Sequence, residues 1–125
     1  MRTTWKTHGG HRILYSDYSG LGTDVETLAR EVAIAKELTL KQPDGSVLKL
    51  VNVADSVGTP EGVEILRQST ADTKAKIRRV AVLGVTGLKQ LMAQGIARMT
   101  GQTIRYFDTE REALDWLVSD EKAPP

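Results

Sequence analysis

The chain has 125 residues, with 17 lysines and arginines against 16 aspartates and glutamates, and it contains no cysteine. A single domain of this length buries about two thirds of its unfolded surface in one core. The missing cysteines exclude disulfides, thiolate metal sites and a cysteine nucleophile, and a net charge of +1 gives no overall field that attracts nucleic acid.

The first predicted element is a β-hairpin centred on the Gly-Gly pair at positions 9 and 10. β-forming residues alternate with polar ones before this pair, and a second β-like run occupies residues 12–17. Two glycines between such runs favour a tight turn of the primed type. His8 and His11 flank the turn, but two histidines without a third ligand make a poor metal site. We therefore interpret both as solvated turn residues.

A helix and a buried strand follow the hairpin. Apolar residues recur at helical spacing over residues 21–41, and Thr23 with Glu26 has the spacing of a capping box, which predicts Thr23 as the N-cap. The Pro-Asp-Gly sequence at 43–45 predicts a turn. The apolar run at 47–53 is typical of a strand that is covered on both faces.

A second helix begins at Thr59-Pro60, with proline at its first position. It becomes polar after Arg67, so we expect it to be the least buried helix. A cluster of cations follows, and we interpret it as favourable charge at the C-terminus of this helix. Because no aromatic residues are interleaved with it, it does not predict nucleic-acid binding. The cluster comprises Lys74, Lys76, Arg78 and Arg79.

The central unit is a strand, a tight turn and a helix between residues 79 and 101. The apolar run at 80–83 predicts a buried strand, and helical spacing resumes at Leu88 and continues to Met99, with Gly101 suited to the left-handed position after the helix. The first amides of this helix make a positive terminus that suits phosphate or sulfate. The candidate anion site comprises the N-cap Thr86 together with Gly87 and Lys89.

A last strand at 103–107 and a last helix complete the predicted fold. Thr109 and Glu112 have capping-box spacing, and an apolar stripe continues from there to Val118. Alternating strands and helices indicate right-handed crossovers and a mostly parallel sheet, with an antiparallel edge from the hairpin. We expect residues 1–121 to form one domain and residues 122–125 to be a frayed tail.

Three stretches of this sequence resemble a known family. They are DYSGL after the second strand, VAVLGVTGLKQLM in the centre and FDTEREALDWL near the end. In this order, and over nearly the whole chain, the sequence is similar to the SpoIIAA-like (STAS/SEC14-type) family of small bacterial proteins. The resemblance implies a STAS-like α/β fold, with an N-terminal hairpin and helices flanking a mixed sheet.

The resemblance also implies a type of regulation. The wider STAS family includes anti-sigma-factor antagonists that bind a protein kinase and are switched by phosphorylation of a serine in a D-S-S-G motif. Here Asp55-Ser56-Val57-Gly58 occupies the corresponding strand end, with valine at the acceptor position. Phosphorylation would therefore have to use Ser56 or Thr59, where a phosphate would meet a helix N-terminus.

Polar residues follow several of the predicted strands and precede helices. Ligands of open α/β sheets bind at this carboxyl edge. Caps and turns explain each residue singly, but Asp17, Asp55 and Asp108 could converge on Mg²⁺ if their strands are neighbours. The candidate partner or regulatory edge comprises Asp17, Tyr18, Asp55, Ser56, Thr59 and Asp108.

The function predicted from these patterns is a non-catalytic STAS-like binding or regulatory module that acts through a protein partner or a small anionic ligand. The alternative is a metal- or nucleotide-dependent enzyme that uses the acidic strand ends. The turn at 84–87 lacks the glycines and lysine of known phosphate loops, which disfavours the enzyme. With no signal segment and no apolar run of about 18 residues, we expect a cytoplasmic protein without membrane insertion, metal or cofactor. Homo-oligomerisation stays open.

Overall fold

The computed structural model describes residues 2–56, 59–85, 95, 98 and 100–119. Its regular elements form one five-stranded sheet flanked by helices. In chain order they are β1 (Thr3–His8), β2 (His11–Asp17), α1 (Val25–Leu40), β3 (Val47–Asn52), α2 (Pro60–Thr73), β4 (Ile77–Leu83), β5 (Ile104–Phe107) and α3 (Glu110–Leu117).

The strands lie in the sheet in the same order as in the chain, from β1 at one edge to β5 at the other. β1 pairs antiparallel with β2, and every later neighbouring pair is parallel. Gly9 and Gly10 in the hairpin turn have φ angles of +56° and +80°, as a primed turn requires. The predicted α/β fold, a hairpin followed by a mostly parallel sheet, is confirmed.

The two faces of the sheet carry separate apolar clusters. One cluster packs beneath α1 and α2 and includes Leu14, Tyr18, Leu28, Val32, Val51, Val53, Val80 and Val82. The other packs beneath α3 and includes Ile13, Leu48, Leu50, Ala81, Leu83, Ala113, Trp116 and Leu117. Because both faces are covered, β3 and β4 are apolar almost throughout, which explains the continuous runs in the sequence.

Helix α1 begins one residue later than predicted. Asp24, not Thr23, is the N-cap, and its carboxylate accepts hydrogen bonds from the Thr27 amide at 3.1 Å and the Thr27 hydroxyl at 2.7 Å. The prediction of Thr23 was wrong because a carboxylate can satisfy both donors at once. The hydrogen bonds from Thr27 lower the pKa of Asp24.

The basic cluster is divided by the start of β4. This strand begins at Ile77 rather than at residue 80, so the last two cations of the cluster belong to the strand. Arg79 is buried, and its guanidinium donates to the Trp116 and Ser119 carbonyls at 2.8 and 3.0 Å. The interpretation of Arg79 as a cation at the end of α2 was therefore wrong, since it caps the C-terminus of α3. Lys76 forms an ion pair with Asp44 at 2.8 Å.

Two polar side-chain contacts at the surface tie the hairpin to α3. His8 Nε2 lies 2.8 Å from a carboxylate oxygen of Asp115, and Lys6 Nζ lies 3.1 Å from one of Glu110. His8 therefore has a partner, whereas His11 is exposed. Solvent screens such pairs, and each contributes about 1 kcal/mol at most.

Most of the predicted central helix lies outside the described residues, as does the predicted tail. Of that helix, Gly95, Arg98 and Thr100 are described and helical. Of the three helices described in full, α2 is the least apolar in its buried residues, which are Gly62, Ser69 and Thr73. This agrees with its polar sequence. None of the helices in the described part of the chain is long and apolar enough to cross a membrane.

Candidate functional site

The loops after β2 and β3 run side by side at the carboxyl edge of the sheet. The amides of Tyr18, Gly20 and Gly22 donate to the carbonyls of Asn52, Ala54 and Asp55 in succession, each at 2.8 Å. The parallel pairing therefore continues past the ends of both strands. The segments that carry Asp17 and Asp55 therefore lie next to each other.

The end of β4 joins the same edge through Gly84. Its φ of +81° is left-handed, and a Cβ atom there would lie 2.5 Å from the backbone nitrogen of Ala54. Only glycine permits this approach. The Val53 amide also donates to the Leu83 carbonyl at 3.0 Å, so the loops after three neighbouring strands pack together.

Asp17, at the end of β2, is engaged within its own turn. Its carboxylate accepts hydrogen bonds from the Ser19 amide at 3.0 Å and from the Ser19 hydroxyl. Its backbone carbonyl accepts from the guanidinium of Arg2, which also donates to the Ser19 carbonyl at 2.9 Å. These contacts fix the loop and leave the carboxylate with a structural partner.

Tyr18 and Ser56, two of the candidate edge residues, are buried and not exposed at the surface. Tyr18 is 1% exposed because it continues the inward-facing row of Leu14 and Ser16 beyond the end of β2. Burial raises the pKa of Tyr18 to about 12. Ser56 is 2% exposed, and its hydroxyl has no hydrogen-bond partner in the described part of the chain. Neither side chain is available on this surface.

The remaining candidates at the edge are two exposed aspartates and a cap. Asp55 has a left-handed backbone, with φ of +53°, and both Asp55 and Asp108 are exposed. The Thr59 hydroxyl accepts from the Gly62 amide at 3.0 Å and so serves as the N-cap of α2. Thr86, Gly87 and Lys89, the candidate anion site, lie outside the described residues, as does Val57.

The three aspartates do not form a metal centre. Within the ranges that the structure describes, no three histidine, aspartate or glutamate side chains are grouped so that they could hold a metal ion. The strand order gives the reason, because Asp17 follows β2 and Asp108 follows β5. Three strand spacings, roughly 14 Å, separate these strands. The hypothesis of a cluster of Asp17, Asp55 and Asp108 was therefore wrong.

An open depression at this edge was not predicted from the sequence. It has a volume of about 660 Å³ and is lined by Arg2, Thr4, Tyr15, Asp17, Ser19 and Glu31. One carboxylate oxygen of Glu31 is buried and has no hydrogen-bond partner among the described residues. The charge of Glu31 adds to the effect of burial in raising the pKa of Tyr18. Only the packing of α1 on the hairpin brings Glu31 here, so no local pattern could have revealed it.

Comparisons with known proteins agree with this architecture. A family model described as SpoIIAA-like matches residues 12–118. The chain is also similar to the crystal structure of an uncharacterized protein with a SpoIIAA-like fold, from the DUF3478 family of Shewanella loihica PV-4. The two chains are 14% identical, with a TM-score of 0.70 over 92% of this chain and 91% of the other. No curated protein matches. Since the family model covers most of the sequence, this chain belongs to the SpoIIAA-like family.

Proposed function

We propose that this protein is a non-catalytic regulatory module that binds a protein partner or a small anionic ligand at the carboxyl edge of its sheet. Membership of the SpoIIAA-like family supports this, because that fold family typically supplies regulatory binding modules. Within this edge, the exposed carboxylates of Asp55 and Asp108 form the proposed recognition surface.

The proposal rests on one observation: some polar groups of this edge bond within their own turns or are buried, and the remaining two carboxylates are exposed at different strand ends. The Asp17 carboxylate and the Thr59 hydroxyl each bond their own turn. The phenol of Tyr18 is buried and resists ionisation, so it is a poor general base at neutral pH. Asp55 and Asp108 are exposed on different strand ends. Dispersed surface carboxylates suit recognition of a basic partner better than chemistry, which needs convergent groups.

A small anion is the second mode of this function. The residues proposed for it are Thr86, Gly87 and Lys89, where the sequence predicts the start of a helix, whose backbone amides together with a lysine would suit an anion. Titration of isotopically labelled protein with millimolar phosphate tests this mode. Movement of the amide resonances between residues 85 and 89 supports it, and unmoved resonances contradict it.

Phosphorylation would act on the same edge. The hydroxyl of Ser56 is buried and that of Thr59 caps α2, so a kinase would have to open the start of this helix before either could be modified. Mass spectrometry of protein isolated from its own cells tests this regulation. No phosphate between residues 55 and 59 under any growth condition would count against it.

Affinity capture with charge-removing variants tests the protein-partner mode. Asp55→Asn keeps a residue that tolerates the left-handed backbone, and Asp108→Asn removes the second exposed charge. Glu37→Gln on α1 is the matched control, because it removes one exposed carboxylate away from this edge. We expect partners captured by the wild type to be lost from the two edge variants and kept by the control. Equal capture by all three contradicts the assignment of the edge.

Calorimetric titration with Mg²⁺ and Mn²⁺ decides between this function and a metal-dependent enzyme. We expect no heat of binding at submillimolar concentrations, because the aspartates do not converge. Submillimolar binding that disappears in the Asp17→Asn, Asp55→Asn or Asp108→Asn variants would overturn the non-catalytic proposal.

A further inference from the structure

A second pocket lies at the opposite end of the sheet, where the parallel strands begin. It has a volume of about 340 Å³, and its polar and aromatic lining comprises Trp5, His11, Arg12, Gln42, Ser46 and Arg78. The starts of β2, β3 and β4 form its floor, with the turn that follows α1 on one side. A pocket of this size accepts a small ligand.

The described residues that line this pocket are basic on balance, and none of them is a carboxylate. Arg12 and Arg78 are exposed, and among the described residues neither forms an ion pair with an acidic group. The acidic side chain nearest in sequence, Asp44, is held by Lys76 at 2.8 Å. Two guanidinium groups without a counter-charge among the described residues therefore line one small volume, which favours an anionic occupant.

Trp5 holds one of these cations in place. The guanidinium carbon of Arg12 lies 4.0 Å from the centre of the Trp5 ring, and the ring itself is half-buried against the α1 and α2 side of the core. Stacking on an indole orients a guanidinium without using its N–H groups. Arg12 can therefore present its edge to a phosphate or carboxylate, while the flat surfaces of Trp5 and Arg12 suit a ring.

The other polar side chains of the pocket are already committed to the turn. The Ser46 hydroxyl donates to the Pro43 carbonyl at 2.6 Å, and the Gln42 amide donates weakly to the Leu38 carbonyl at 3.4 Å. Contacts to an anion consequently fall to Arg12, Arg78 and the exposed His11.

We propose that this pocket binds a small molecule that carries both a phosphate group and a planar ring. The phosphate takes hydrogen bonds from Arg12 and Arg78, whose forked donors match its oxygens. The ring stacks against Trp5 or the guanidinium that covers it. This inference does not rest on the function proposed for the carboxyl edge, because the two sites lie at opposite ends of the strands and share no side chain.

The test uses the two indole N–H resonances of ¹⁵N-labelled full-length protein, which has only two tryptophans. Phenyl phosphate is the probe, with inorganic phosphate and phenol as partial probes. We expect phenyl phosphate to move the Trp5 indole signal and the Gly45 amide while the buried Trp116 indole stays in place. Phenyl phosphate should bind more tightly than either partial probe.

Variants assign the contacts. Arg12→Gln and Arg78→Gln should each weaken binding of phenyl phosphate about tenfold, the effect of losing one charge-assisted hydrogen bond. Arg30→Gln, an exposed arginine on α1, removes the same charge outside the pocket and should leave affinity unchanged. Circular dichroism melting confirms that each variant is folded. Arg78 contacts no aromatic ring of the described residues, so Arg78→Gln leaves the stacking of Arg12 on Trp5 intact.

Three results would overturn the proposal. One is a Trp5 indole signal that stays fixed at tens of millimolar phenyl phosphate, well above the range of a specific small-ligand site. Another is equal affinity for phenyl phosphate and one of its partial probes, which would show that only one half of the ligand is recognised. The third is an equal loss of binding in Arg30→Gln and in the pocket variants, which would indicate attraction by net charge alone.

Discussion

Arg79 and Lys49 lie on neighbouring strands, β4 and β3, and are only 2% and 8% exposed, but they face opposite sides of the sheet. Arg79 points toward α3, where its NH1 group donates to the Trp116 and Ser119 carbonyls and to the Ser119 hydroxyl. Its guanidinium carbon lies 5.4 Å from the centre of the Trp116 ring. Lys49 sits in the row between Leu14 and Val80 on the other face. Its ammonium forms no hydrogen bond or ion pair with any described residue.

The difference shows what makes a buried charge tolerable. The carbonyls at the end of α3 carry partial negative charge and need donors, so Arg79 meets a demand of the backbone. Lys49 has no acceptor for its ammonium group in the part of the chain that the structure describes, and burial lowers its pKa to about 8. One cation therefore supports the docking of α3, whereas the other costs stability as long as it is charged.

Removing Arg79 should give the largest effect. Arg79→Leu leaves the Trp116 and Ser119 carbonyls without their charged donor, and we expect a loss of about 4 kcal/mol in the free energy of unfolding. Urea unfolding at pH 7 measures it. The matched control is Arg78→Leu, one residue away and exposed, which should change stability by about 0.5 kcal/mol or less. Similar losses in the two variants would contradict the structural role of Arg79.

Replacing Lys49 should have the opposite sign. Lys49→Met keeps an unbranched side chain and removes the buried charge, and the lowered pKa corresponds to a gain of about 3 kcal/mol at pH 7. The exposed Lys41→Met is its control and should be near neutral. Urea unfolding of both proteins checks the sign. A destabilised Lys49→Met variant would mean that the ammonium has a partner that compensates for its burial.

The sequence predicted β3, which carries Lys49, but it placed Arg79 before the start of β4, and it indicated the role of neither residue. A lysine inside the apolar run 47–53 is enough to suggest a buried charge once both faces of the strand are covered. Arg79 gave no such signal, because its partners are 37 and 40 residues further along the chain. Charge and proximity to a helix end favoured the simpler interpretation as a surface cation.

The candidate edge shows the same limit. Turn chemistry predicted the loops and the caps at Thr59 and Thr109, because these depend on neighbours in sequence. The spread of the aspartates depends on strand order, which alternating strands and helices alone do not determine. The burial of Tyr18 depends on continued pairing beyond β2, a contact with the Asn52 carbonyl that no local pattern encodes.

The pH dependence of stability should distinguish the two cations further. The pKa of Lys49 is about 8 in the folded protein and near 10.5 when unfolded, so between these values the unfolded chain binds more protons. Stability due to this group must then rise with pH, by about 2 kcal/mol between pH 7 and 9.5. The range stops below pH 10, where ionisation of Tyr18 in the unfolded chain begins to reduce stability, since burial raises the folded pKa of Tyr18 to about 12.

Urea unfolding of the wild type and Lys49→Met at both pH values isolates this effect. The variant should lack the rise of the wild type, because every other titrating group is common to both proteins. Parallel profiles would show that the ammonium of Lys49 reaches solvent. An arginine stays protonated throughout this range, so Arg79→Leu should keep the full pH dependence of the wild type.

The smallest effect concerns Ser119, which completes the acceptor set of Arg79. Its hydroxyl donates to the Trp116 carbonyl at 2.7 Å and accepts from Arg79 at 3.1 Å. Ser119→Ala removes both bonds but leaves the direct bonds from Arg79 to the two carbonyls, so we expect a loss of about 1 kcal/mol. A double-mutant cycle with Arg79→Leu measures how much of this loss belongs to the pair. If the two residues act together in capping α3, Ser119→Ala should cost clearly less once Arg79 is absent, whereas strictly additive losses would mean that the serine supports the helix end independently of the buried cation.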